Sequence, residues 1–147
     1  MLSTWLILFF VHLLGLSLGI GAATVKLTLL LKCNSDQKFV PTFIAASKPI
    51  TKIIILGLIL LTLSGIGWII LGTSFTILFI VKLTLVVTLW VLGPIIDNSI
   101  EPKYLRLVPI SGQPATTEFI KIQRNYVFME TIATGLFYAI MVIGVLL

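Results

Sequence analysis

Four apolar stretches of about 20 residues or more fill most of this chain, and they decide what it can fold into. They run from about Ser3 to Leu31, Ile50 to Gly72, Ser74 to Ile96 and Tyr126 to Leu147. Each is long enough to cross roughly 30 Å of hydrocarbon at about 1.5 Å per residue. In lipid every backbone N–H and C=O must be satisfied within the protein, so crossing segments of this length become helices. The pattern predicts an all-α protein, a single four-span membrane domain over residues 1–147 whose first partner is the lipid bilayer. Composition agrees. Hydrophobic residues make up 59%, charged residues only 10%, and the mean hydropathy is +1.19. A soluble domain carries roughly a quarter charged residues.

The connections set the expected topology. Span one resembles a secretory signal at Gly21-Ala22-Ala23, but no basic segment precedes it and the apolar run continues beyond, so it reads as a span. Pro49 suits the first turn of span two. Leu71-Gly72-Thr73-Ser74 is so short that spans two and three form an antiparallel hairpin. Two loops remain, residues 32–49 and 97–125. Pro102, Pro109, Gly112 and Pro114 make the second irregular at first, and Thr116-Thr117-Glu118 caps a short interfacial helix leading into span four. Counting Lys52, these loops hold eight of the ten Lys and Arg, and the 2–3 hairpin holds none. The positive-inside effect then places both loops in the cytoplasm and both termini outside a cell (inner) membrane. The same distribution accounts for the net charge of +5 without nucleic acid as a partner. Trp5 and Trp68 fall near the outer boundary, where indole rings sit. The single cysteine, Cys33, excludes an internal disulfide and a multi-cysteine metal site.

Ionisable residues inside the spans are expensive, and they are where the sequence speaks about function. Four are expected: His12, Lys26, Lys82 and Glu130. From helix rise, His12 and Lys82 share a level roughly 12–13 Å below the outer edge, while Lys26 and Glu130 share one about 9 Å from the cytoplasmic edge. The inner pair reads as structural, with Lys26 snorkelling to the interface or pairing with Glu130. The outer pair is the candidate site. His12, Gly15, Gly19, Ala22 or Ala23, and Lys26 recur at three- and four-residue spacing, so they line one helix face. Gly15-xxx-Gly19 admits another backbone or a flat ligand. Histidine beside such a groove in a helical bundle is how haem is often held. Lys82 is placed to meet an anionic group such as a propionate, and Met141 on span four is a soft second axial ligand. The same residues also suit plain helix packing with a hydrogen-bonded histidine. Ser64-Gly65-Ile66-Gly67 reads as a packing segment, with Ser64 bonding back to its own helix. No nucleotide loop, Ser-His-Asp set or carboxylate pair at one depth is expected, so enzymatic activity is not assigned.

The order of these features resembles a known group. His12 with Gly15 and Gly19, then Leu63-Ser64-Gly65, then Val81-Lys82-Leu83-Thr84-Leu85-Val86 after a short hairpin, looks like the copper-resistance protein D superfamily of small four-helix membrane proteins, a group similar in pattern to the HemJ-type protoporphyrinogen oxidases. The resemblance covers about residues 5–97. It implies a four-helix bundle with His12 as ligand of haem b, or of copper, and Lys82 as a functional lysine. The chain holds one His and three Met, fewer than copper importers offer. The expectations are therefore a b-type haem or a copper ion at His12, with Gly15, Gly19, Lys82 and Met141 around it, serving electron transfer or a redox accessory role. The alternative is a cofactor-free accessory subunit of a larger membrane complex or homodimer. A channel gated by Lys82 is a third class, and a four-helix unit leaves it little room.

Overall fold

The computed structural model describes residues 3–72, 74–109 and 113–147. These residues form α1 (Thr4–Ser35), α2 (Val40–Ile70), α3 (Ile77–Ile95), α4 (Glu101–Leu107) and α5 (Thr117–Leu146), with a 3₁₀ turn at Gln37–Phe39 and a π turn at Ile96–Ile100. Among the described residues there is no strand. Four helical segments are long and apolar enough to cross a membrane: Thr4–Ser35, Gln37–Ile70, Ile77–Leu107 and Thr117–Leu146. The all-α four-helix membrane architecture is thus as the apolar pattern predicts.

Hydroxyl residues start α1, α3 and α5. The side chains of Ser3, Thr76 and Thr116 accept from the backbone N–H groups of Leu6, Phe79 and Phe119, and so satisfy donors that have no partner in the first turn. The turn out of α2 uses Gly72 at φ +88°, a conformation that costs a Cβ-bearing residue energy.

Each long helix buries one narrow side and exposes leucine, isoleucine, valine and phenylalanine on the other. In water this would be untenable. In lipid it is the solvent-facing surface. Along α1 the buried residues are Gly15, Gly19, Ala23, Lys26, Leu30 and Cys33, recurring every three or four positions. α1 packs along α2 and α5, and α5 packs along α3. Among the described residues α2 and α3 make almost no close backbone contact despite their short connection. The indole N–H of Trp90 bridges them, donating to Thr62 Oγ1 at 3.0 Å.

The helices overrun the expected spans at the basic end, and three expectations change. Residues 32–49 are not an open loop: α1 reaches Ser35 and α2 begins at Val40, with Pro41 in its first turn. Pro49, expected at the start of span two, lies inside α2. Residues 97–125 are likewise helical up to Leu107 and again from Thr117, and the helix capped by Thr116 is continuous with span four rather than a separate interfacial piece. Proline disguised these extensions. Pro94 removes a backbone donor inside α3, and the wide turn Ile96–Ile100 follows it before Pro102 opens the next helix. Phe43, Tyr104 and Phe119 from the extensions form an aromatic core with Tyr126 at the start of span four. Ring centroids lie 5.3–5.8 Å apart along the chain Phe43–Tyr104–Tyr126 and from Tyr104 to Phe119. Cys33 is buried in the same cluster.

Candidate functional site

His12 stands on α1, one turn before the glycines, and side chains of α2 and α3 meet it. Its Nδ1 lies 2.8 Å from Ser64 Oγ on α2. Ser64 spends its single proton on its own helix, 2.8 Å from the carbonyl of Leu60 and 3.0 Å from that of Leu61. The imidazole must therefore donate through Nδ1, which assigns the tautomer from the hydrogen-bond network. Nε2 then carries the lone pair, and Lys82 Nζ on α3 lies 3.4 Å from it. Trp68 packs against the imidazole, with centroids 4.7 Å apart and planes at 41°. Ser64 and Trp68 were legible as small-residue packing and interfacial anchoring. Their contacts with His12 depend on the α1–α2 register, which no local signal contains.

The expected site residues divide into two groups. His12, Lys82 and Met141 come together on one cleft of about 580 Å³ at the end of the bundle away from the basic segments, the outer end in the expected orientation, walled by Trp5, Phe9 and Phe79. Gly144 on α5 leaves room for the lysine, since a Cβ there would sit 3.1 Å from Lys82 Nζ. Gly15 and Gly19 are elsewhere. A Cβ on Gly15 would meet Gly57 O and Leu61 N at 2.9 Å, and one on Gly19 would meet the Phe137 ring at 2.8 Å. A Cβ on Gly57 would lie 2.5 Å from Gly19 N. The glycine face is filled by another backbone and a phenyl ring, so of the two occupants it admits, a neighbouring helix is the one found. A flat ligand has no space beside those two glycines, and any ligand of His12 must approach from the Lys82 side.

A second constellation lies at the inner level, and only half of it was expected. Lys26 does not snorkel: it is 1% exposed. Its Nζ sits 2.9 Å from Glu130 Oε1, as the pairing expectation has it, and also 3.0 Å from Glu101 Oε2 and 3.1 Å from Asp97 Oδ1. Nζ donates as well to Thr51 Oγ1 at 2.9 Å. Glu101 accepts from Ser47 at 2.6 Å and from Tyr126 at 2.8 Å. Carboxylates do therefore share one depth, contrary to the expectation of none. Asp97 and Glu101 were assigned to a loop, and the helical path through the π turn brings both to Lys26. An apolar groove of about 270 Å³ between α2 and α3 runs down to this cluster. With an ammonium already at its centre, the cluster reads as a structural tie joining α1, α2, α5 and the α3–α4 junction.

Among the described residues no group of three or more His, Cys, Asp or Glu could hold a metal ion. The outer cleft instead offers one imidazole nitrogen and one thioether, the donor set of an axial ligand pair, with an ammonium beside them. No protein-family model, no curated protein and no solved structure matches the chain.

Proposed function

We propose that the outer cleft holds a b-type haem through His12, and that the protein serves electron transfer or a redox accessory role in a cell membrane. The observation that carries this reading is the convergence of His12, Lys82 and Met141, from three helices, on one aromatic-walled cleft. Its volume lies in the roughly 300–1,000 Å³ range of small-molecule and cofactor sites. The hydrogen bond from Nδ1 to Ser64 holds the ring and leaves Nε2 for a ligand, the arrangement that metal-binding histidines favour. Lys82 Nζ must leave Nε2 on ligation, and its flexible stem allows the ammonium to meet a carboxylate instead. Met141 offers a soft second donor. The bound group would supply one-electron redox chemistry, while these residues bind it, orient it and exclude water. A copper ion on Nε2 and the Met141 sulfur is the second occupant. Enzymatic activity is not part of the proposal. The basic end faces the cytoplasm and both termini face outward, by the positive-inside effect.

The test is an absorption spectrum with metal analysis of the detergent-purified protein. A Soret band present in the natural chain and lost in His12→Ala supports the reading. A chain with no Soret band, and metal content unchanged by His12→Ala, refutes it.

A cofactor-free accessory subunit is the second reading, and one observation favours it. Gly21 and Gly135 are exposed on the membrane-facing surface, and a Cβ on either would meet nothing within 4 Å. Exposed small residues let a neighbouring transmembrane helix, from a larger complex or a second copy, approach closely. Co-purification of a stable partner without chromophore, lost in Gly135→Leu, supports this role over the first.

A further inference from the structure

At the basic end, away from both constellations, a cleft of about 850 Å³ opens between α4 and the first turns of α5. Lys103 and Leu107 line it from α4, and Lys121, Arg124, Asn125 and Phe128 from α5. The α5 residues follow from helix geometry. Phe119, Gln123 and Tyr126 turn into the aromatic core, so Lys121, Arg124, Asn125 and Phe128 turn out. The cleft carries three cations against one carboxylate, Glu118. Among the described residues every ion pair belongs to Lys26, so Lys103, Lys121 and Arg124 have no carboxylate within bonding reach. Below them Phe128 is 61% exposed. It lies seven residues beyond Lys121, about 10 Å nearer the bundle centre.

We propose that this cleft binds the headgroup of an anionic phospholipid from the leaflet on the basic side. Lys103, Lys121 and Arg124 meet the phosphate, and Asn125 donates to a headgroup or glycerol oxygen. Phe128 and Leu107 pack against the start of an acyl chain. The vertical order of cations, amide and exposed phenyl matches the order of phosphate, glycerol and hydrocarbon in a lipid leaflet. Basic pockets between transmembrane helices are suited to such headgroups. Free inorganic phosphate satisfies the cations but gives the phenyl nothing to cover it. The lipid is therefore the occupant chosen here, and it requires no cofactor at His12.

The experiment is native mass spectrometry of the full chain in detergent, titrated with phosphatidylglycerol, phosphatidylcholine or inorganic phosphate. Phosphatidylglycerol is expected to bind in preference to phosphatidylcholine. Each cation near a lipid surface contributes about fivefold in affinity, so Lys121→Gln with Arg124→Gln is expected to weaken phosphatidylglycerol about 30-fold. Lys38→Gln with Lys48→Gln removes the same charge from exposed positions on the 3₁₀ turn and α2 and is expected to leave binding within about threefold. Phe128→Ala is expected to weaken the lipid and not inorganic phosphate. All five positions are exposed, so the variants keep the fold, checked by circular dichroism. Equal losses in the two double variants would reduce the cleft to generic basic surface and overturn the proposal. Lipid binding unaffected by Phe128→Ala, with inorganic phosphate competing equally in both chains, would overturn the choice of a lipid.

Discussion

Replacing Lys26 with methionine tests whether the inner cluster holds the bundle together. The ammonium is 1% exposed and lies within 3.1 Å of oxygens from Asp97, Glu101 and Glu130. Methionine keeps the stem and removes the charge, which leaves three carboxylates facing one another. Removing one partner of a buried ion pair costs about 3–5 kcal/mol, because the remaining charge is left uncompensated. At about 2–4 °C per kcal/mol for a chain of this size, the melting midpoint in detergent falls by roughly 6–20 °C. Glu130→Gln is the informative contrast. It removes one of two formally excess negative charges and leaves Lys26 paired with Asp97 and Glu101, so its cost stays near 1–2 kcal/mol. Thermal unfolding of both variants, followed by circular dichroism, gives the order directly. A Lys26→Met chain that melts within about 2 °C of the natural one, or a Glu130→Gln chain that is the less stable of the two, would refute the reasoning.

Other perturbations follow from the same contacts. Gly57→Ala puts a methyl group 2.5 Å from Gly19 N, and backbone atoms cannot step aside, so α1 and α2 separate at a cost of about 1–3 kcal/mol, read as a lowered melting midpoint. Trp90→Phe removes the hydrogen bond bridging α2 and α3 and is expected to cost about 0.5–1.5 kcal/mol, with faster hydrogen exchange along α3 as a second readout. If the outer cleft holds haem, Ser64→Ala unseats the imidazole and weakens haem binding about 10- to 100-fold in a titration of the haem-free protein. Single cysteines placed at the exposed Gln37 and Gln113 in a Cys33→Ala background are expected to react from one side of the membrane, and one at Ser74 from the other. Labelling of all three from one side would refute the four-span path.

Hydropathy by itself determined that this chain is a helical membrane bundle, because in hydrocarbon an apolar run of about 20 residues has no other way to satisfy its backbone. It also put His12 and Lys82 at one height, since helix rise converts residue number into depth, and offered Met141 on span four as a second ligand. The pairing of Lys26 with Glu130 was legible for the same reason. Tertiary structure alone decided which faces meet. The α1–α2 register brings Ser64 and Trp68 to His12, and it fills the Gly15–Gly19 face with Gly57. The path through Pro94 and the π turn carries Asp97 and Glu101 from an apparent loop to Lys26. Depth is a one-dimensional property that a sequence carries along its length. Azimuth around the bundle and the continuation of a helix past a proline are settled by contacts between residues far apart in the chain.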